Sequence, residues 1–459
     1  MKTLAESHAL GLLRTGRSAL KQVRETVKMA RHGLKALEAR FKRSRSHATF
    51  IAVTGSSGKT TTVSLLTHIL SADSKVRTQV VRNGFDNAVT TLRRLTKEDQ
   101  FIVLEMGTSG PGRLEKVARL VKPDISIVTL VALEHFPAFQ SLEEVAQEKA
   151  TIVRTLPETG LAILNADDAN VRAMSGSTSA RVTLFGSADG GCQVASVRTS
   201  AEGTLALTIR HGNRSIDLDT QLIGAHNWLA VSAAVTCALE VGVPPQTIAA
   251  RVASFAPVLT RLSVHKIADG PTFILDGKAP LHSILLPLEV LRTITAPRKR
   301  FVLGNISDYR GNPVSKYRDA YRAARNVADE VIVVGTAARK VRPLPEDLQS
   351  GRFRAFESVQ AAAAYLKQTA EAGEVILVKS AGSLHLERLM LDRADGVRCW
   401  ANECGNKASC FDCGLYRAPF FEHSGKSKRK RRRLPSLWGS KPSVPASYPT
   451  ETYPSPGLT

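Results

Sequence analysis

The chain has 459 residues, 43% of them apolar, enough for two or three domains with real cores, and no apolar run approaches the roughly 18 to 20 residues of a membrane span. The apolar stretch from Leu10 to Leu13 is broken off by Arg14 and Arg17, which argues against a secretory leader and makes the cytoplasm the expected compartment. The net charge of +22 sits mainly at the two ends: residues 1–48 contribute +9 and Lys426 to Arg433 a further +7, so a uniformly basic nucleic-acid-binding body is not indicated.

Residues 1–48 read as a basic amphipathic helix. Leu20, Val23, Val27, Ala30, Leu34, Leu37 and Phe41 recur at spacings of three and four, laying an apolar seam on one face and Lys and Arg over most of the rest. Such a seam requires a cover. The candidates are the protein's own body, a second copy or partner chain, or an anionic membrane surface on which the protein would sit peripherally.

From residue 49 to 260 short β-rich runs alternate with helical stretches. Phe50 to Thr54, Phe101 to Glu105, Ile125 to Val131 and Leu161 to Asn165 are expected as buried parallel strands, separated by helices such as Thr60 to Leu70 and Leu142 to Leu156. The runs Val194 to Thr199, Thr204 to Arg210 and Ser215 to Thr220 predict a small antiparallel insertion, followed by a helix from Asn227 to Val241. A second α/β unit is expected over residues 261–398, with strands at Phe273 to Asp276, Phe301 to Gly304, Val331 to Gly335 and Val375 to Lys379. A cysteine cluster over residues 399–415 follows, then a basic, Pro- and Ser-rich tail over 416–459 that lacks the apolar content to fold.

The strongest local signal is Val53-Thr54-Gly55-Ser56-Ser57-Gly58-Lys59-Thr60-Thr61, between a buried strand and a helix. Small residues let successive amides turn toward a phosphate, and the helix N-terminus adds partial positive charge. Lys59 can then reach the β and γ phosphates of ATP, and Thr60 can hold Mg²⁺. Val53 stands where the general motif has its first Gly.

Four of the six cysteines, Cys399, Cys404, Cys410 and Cys413, lie within fifteen residues. Thiolates this close predict a Zn²⁺ site, with Cys410-x-x-Cys413 as its chelating pair; an iron–sulfur cluster and free thiols are the alternatives. The basic run carries no interleaved aromatics, which disfavours an RNA partner.

The phosphate loop, taken with Leu104-Glu105-Met106-Gly107-Thr108, Lys122-Pro123-Asp124-Ile125, Glu134-His135-Phe136, Glu148-Lys149 and Leu164-Asn165-Ala166-Asp167-Asp168 in that order, resembles the Mur ligase family. These are ATP-dependent enzymes that join a carboxylate to an amine. Within the family the chain is most similar to the branch adding D-alanyl-D-alanine to a UDP-N-acetylmuramoyl tripeptide.

The resemblance implies a central P-loop ATPase domain followed by a Rossmann-like C-terminal α/β domain. It also implies activation of a carboxylate as an acyl phosphate, small-molecule or peptide substrates, and a product in cell-wall or related peptide-conjugate biosynthesis. By it, Glu105 and His135 hold a second Mg²⁺, Lys149 carries a carbamate, Asn227 faces the adenine, and Arg261 and Asp276 complete the nucleotide contacts. The chain departs from the pattern at Thr151, Ala230, Gly277-Lys278-Ala279-Pro280 and Gly382. The N-terminal domain that grips the UDP-sugar in relatives has no counterpart in residues 1–48, so a partner chain would have to supply that site. The rival expectation is a catalytically silent, ATP-binding scaffold that organises partners.

Overall fold

The computed structural model of the chain describes residues 25–423, apart from 27–28, 82, 188–190, 403 and 407. Most of the N-terminal seam before Met29, the basic run Lys426 to Arg433 and the tail beyond it lie outside the described residues.

Helix α1 covers residues 29–44. Its seam does not dock on the body. Leu34, Leu37 and Phe41 are 67%, 58% and 55% exposed, whereas Ala39 is fully buried against the first core. The small Ala36/Ala39 face comes closer to the body than a leucine ridge can, and polar groups fix it there. Arg43 donates from Nε to the Val121 carbonyl at 2.6 Å and from Nη2 to the Lys122 carbonyl at 2.7 Å, and its guanidinium lies 3.7 Å above the Phe50 ring.

The next elements alternate: β1 (Thr49–Thr54), α2 (Lys59–Leu70), β2 (Val76–Gln79), α3 (Phe85–Leu92), β3 (Phe101–Glu105), α4 (Arg113–Val121), β4 (Ile125–Val128), α5 (Leu142–Arg154), β5 (Leu161–Asn165), α6 (Ala169–Ala173) and β6 (Arg181–Gly186). The β strands among them pair in parallel in the order β2-β3-β1-β4-β5-β6. Strands β7 (Cys192–Thr199), β8 (Thr204–His211) and β9 (Arg214–Ile223) do not form a separate layer; they extend the same sheet, β7-β8-β9 running antiparallel. Helices α7 (Trp228–Glu240) and α8 (Pro245–Ala253) pack with α2 on one face, and α3, α4 and α5 cover the other. Burial on both faces explains why β1, β3, β4 and β5 read as unbroken apolar runs.

Among the described residues the chain passes once between two sheets, through residues 254–260. Strands β10 (Arg261–Lys266) and β11 (Thr272–Asp276) lead into α9 (Leu285–Thr293), β12 (Lys299–Leu303), α10 (Pro313–Arg325), β13 (Glu330–Val334), α11 (Pro345–Gln349), β14 (Phe353–Phe356), α12 (Val359–Thr369), β15 (Val375–Lys379) and α13 (Arg388–Ala394). The second sheet has the order β10-β11-β15-β12-β13-β14, parallel except for β10. The carboxyl ends of its β11 and β15 face those of β1 and β3 across a basin of about 850 Å³, as expected for ligand sites of open α/β sheets.

Candidate active site

The sequence that folds as β1 ends in a loop that only glycine can complete. Gly55 has φ 145°, and a Cβ placed there would sit 1.9 Å from Thr129 Oγ1. Thr129 uses that hydroxyl to donate to the Ser57 carbonyl at 2.6 Å. Ser56 exchanges hydrogen bonds with Ala132 and donates its amide to the Leu130 carbonyl at 2.7 Å. These bonds explain why β4 stops at Val128 although the apolar run continues to Val131: beyond Val128 the chain leaves the sheet to brace the loop. Gly58, at φ 80°, opens α2, and Lys59 folds back so that its ammonium donates to the Gly55 carbonyl.

Across the loop, Glu105 ends β3 and is 3% exposed. Its carboxylate accepts from Thr60 Oγ1 at 2.9 Å, the Val81 amide at 2.8 Å and Asn83 Nδ2 at 3.1 Å. Glu134 and His135, on the segment after β4, line the same basin. His135 holds a left-handed φ of 54°, and so does Asp308 opposite it at 58°, whose Oδ1 accepts from the Phe136 amide at 3.1 Å. Non-glycine residues in this conformation carry strain that the surroundings must hold in place. The hard oxygens of Thr60 and Glu105, with His135 lining the same basin, suit Mg²⁺ bound with a nucleotide.

Lys149 is not at the basin surface. It is 1% exposed, and its Nζ donates to Glu134 Oε1 at 2.5 Å. Burial pulls the Lys149 ammonium down to about 8 despite the carboxylate beside it. Burial pushes Glu134 the other way, but Lys149 and Lys59 outweigh it and hold its carboxyl at about 2. The neighbouring Glu148 turns away from the basin. It accepts from Thr108 Oγ1 at 2.9 Å and from the Gly112 and Leu114 amides at 2.7 and 2.8 Å, fixing the loop after β3.

The second sheet supplies the far wall. Asp276 and Lys379 end adjacent parallel strands and form a pair at 2.6 Å, with Ser283 Oγ also accepting from Lys379 at 3.2 Å. Lys278 and Arg261 flank them, and burial together with the Arg261 guanidinium pulls the Lys278 ammonium below its usual range. A polyanion between these cations would relieve that crowding. Asn227 lines the basin and donates from Nδ2 to the Ile223 carbonyl at 2.7 Å.

Of the residues expected from the sequence, Ser56, Ser57, Gly58, Lys59, Thr60, Thr61, Glu105, His135, Asn227, Arg261 and Asp276 all line one basin; Gly55 is not in its lining, and Lys149 lies behind Glu134. Sequence reasoning missed Asn83, Lys278, His282 and Asp308 as site residues and Glu134 as the partner of Lys149. Both ring nitrogens of His282 are buried without a hydrogen-bond partner among the described residues. No spacing signal could have found it, because only folding brings the β11–α9 segment to the phosphate loop. The four cysteines do not converge as a set. Among the described residues, only Cys410 has its sulfur in a group of three or more ligand-type atoms within 4.8 Å of one another, and its companions are His385 and Glu387.

Two family models match the chain: the Mur ligase middle domain over residues 53–238, and the Mur ligase, glutamate ligase domain over residues 260–382. The UDP-N-acetylmuramoyl-tripeptide--D-alanyl-D-alanine ligase of Mycobacterium tuberculosis (strain CDC 1551 / Oshkosh) is 28% identical over 365 residues, covering 74% of this chain and 71% of its own length. The Escherichia coli (strain K12) ligase of the same name is 27% identical, covering 77% and 78%. For another such ligase, from Mycobacterium bovis, the covered share of its length falls to 58%. Among solved structures, MurF from Acinetobacter baumannii superposes with a TM-score of 0.70 at 24% identity, covering 78% of this chain and 79% of that one. MurF ligase from Thermotoga maritima in complex with ADP gives 0.67 at 20% identity, covering 78% and 82%.

Proposed function

This chain belongs to the Mur ligase family of ATP-dependent, amide-forming ligases, and from that membership we propose that the basin between its two sheets is where a carboxylate is activated as an acyl phosphate and handed to an amine. A carboxylate oxygen attacks the γ-phosphorus of ATP and ADP leaves; the amine then attacks the acyl carbon, phosphate departs and the amine gives up a proton. Both steps concentrate negative charge, so the protein's task is to supply cations and fixed donors rather than a covalent nucleophile.

The loop amides and Lys59 are assigned to the triphosphate. Thr60, Glu105 and His135 are assigned to Mg²⁺, which when bound neutralises the phosphoryl oxygens. Asn227, Arg261 and Asp276 are assigned to the nucleotide, and Lys379 and Lys278 to the anionic groups it faces. The observation that carries this reading is the 2.9 Å contact between Thr60 and Glu105, which joins the phosphate loop to a buried carboxylate at the sheet edge. The arrangement of acid, imidazole and lysine favours an enzyme over a silent scaffold. Peptidoglycan precursors are the substrate class suggested by the relatives' names. The test is ATP turnover with candidate acceptors: Lys59→Ala should abolish it and Glu105→Ala reduce it at least 100-fold, and normal turnover by both variants would refute the mechanism.

Among the described residues no helix is long and apolar enough to cross a membrane. We infer that α1 instead rests its outward ridge of Met29, Leu34, Leu37 and Phe41 on an anionic lipid surface. Arg31, Lys35, Arg40, Lys42 and Arg45 surround the ridge against a single acid, Glu38, a charge balance that suits anionic headgroups better than a second copy of the same positive helix.

A further inference from the structure

The segment after α13 returns to the second sheet and is clamped there by one buried arginine. Arg388, 1% exposed, donates from Nε to the His385 carbonyl, from Nη1 to the carbonyls of Cys399 (2.8 Å) and Ala401 (3.0 Å), and from Nη2 to that of Leu384. This fold-back brings the cysteine segment over His385, which is 2% exposed and held at a left-handed φ of 54°.

His385 faces a partner on each ring nitrogen. Nδ1 is 3.1 Å from Glu387 Oε1, and Nε2 is 3.3 Å from Cys404 Sγ and 3.0 Å from the Asn406 carbonyl. Glu387 is itself buried and accepts from the Cys410 amide at 2.7 Å. Helix α14 (Cys410–Cys413), a single turn capped by Ser409 and closed by Gly414, sets Cys410 and Cys413 three residues apart on one side. None of these cysteines is in a disulfide.

We propose that His385 and the thiolates of Cys404, Cys410 and Cys413 bind one divalent ion with a preference for nitrogen and sulfur, zinc being the expected occupant, the ion drawing Cys404 and Cys413 in toward the group that His385, Glu387 and Cys410 already form, with Glu387 orienting the imidazole from Nδ1. The His385–Cys404 separation suits two ligands of one tetrahedral ion, given metal bonds of about 2.0 to 2.3 Å. A carboxylate on the distal nitrogen of a ligating histidine fixes its tautomer and direction. The site differs from the four-cysteine set expected from spacing in taking His385 for Cys399: Cys404 Sγ meets the His385 ring, and among the described residues no ligand-type cluster includes the Cys399 sulfur. The role is structural, stapling residues 399–416 to the second sheet, and it is independent of the ligase reading.

The test uses the full chain purified from zinc-supplemented medium, with metal content measured by mass spectrometry. About one zinc per chain is expected in the wild type and in Cys399→Ser, less than a tenth of that in His385→Ala, Cys404→Ser and Cys410→Ser, and a 10- to 100-fold weaker affinity in Glu387→Gln. Should these variants fold poorly, the wild type still decides the matter. Stripped of metal by a chelator, it should become open to alkylation at the half-exposed Cys404 and Cys413, and zinc alone should restore their protection. A zinc content unchanged in His385→Ala but lost in Cys399→Ser would overturn the ligand set. No bound metal, an iron–sulfur chromophore, or alkylation indifferent to zinc would overturn the site.

Discussion

At the scale of single residues, the Glu134–Lys149 pair stands out because it is buried beside the basin. An ion pair 1% and 9% exposed costs desolvation on both partners, and removing one leaves the other charged and buried. Glu134→Gln should therefore destabilise the fold by about 3–5 kcal/mol in denaturant unfolding, and the double variant Glu134→Gln, Lys149→Met should recover most of that loss. A double variant no more stable than the single one would refute the pairing. The sign of the pH effect follows from the lysine. Its amine titrates near 8 when folded and near 10.5 when unfolded, so across that window the unfolded chain holds more protons and stability rises with pH. That rise should vanish in Lys149→Met. That Lys59, Thr60, Glu105 and His135 share one basin was legible from the phosphate-loop motif and from the resemblance to the Mur ligases. Glu134, one residue from His135, was not, because its meaning depends on a helix fifteen residues away.

At the scale of elements, α1 separates what periodicity can tell from what it cannot. The seam is real, but which face meets the body is decided by size: Ala36 and Ala39 permit close approach, and Arg43 finds two carbonyls that α4 leaves open at its C-terminus. The leucine and phenylalanine ridge is left to another surface. Leu34→Glu with Phe41→Glu should reduce co-sedimentation with phosphatidylglycerol vesicles at least tenfold while leaving thermal stability within about 1 kcal/mol, since neither side chain is buried. Equal binding to phosphatidylcholine, or a concentration-dependent dimer that the variant abolishes, would refute the lipid assignment. Parallel strands buried on both faces were legible as apolar runs; β2, β10 and β14, at or near sheet edges and half polar, were not.

At the scale of the whole molecule, the basin exists only while the two sheets face each other. Arg310 ties them: it donates from Nη2 to the Phe139 carbonyl at 3.2 Å, bonds Gln140 and lies 5.4 Å from the centre of the Phe136 ring. Arg310→Ala should raise the KM for ATP or lower kcat by about 3- to 10-fold, the worth of one or two such bonds, with little change in unfolding free energy because neither core is touched. Unchanged kinetics would show that these contacts do not govern closure. That the walls meet was not legible, since no local pattern encodes how two sheets are set against each other. The lone crossing at residues 254–260 has an evolutionary corollary. Recombination at that seam would exchange the whole wall carrying Arg261, Asp276, Lys278 and Lys379 while leaving the phosphate loop itself intact, so the loop and the wall that faces it become separately heritable.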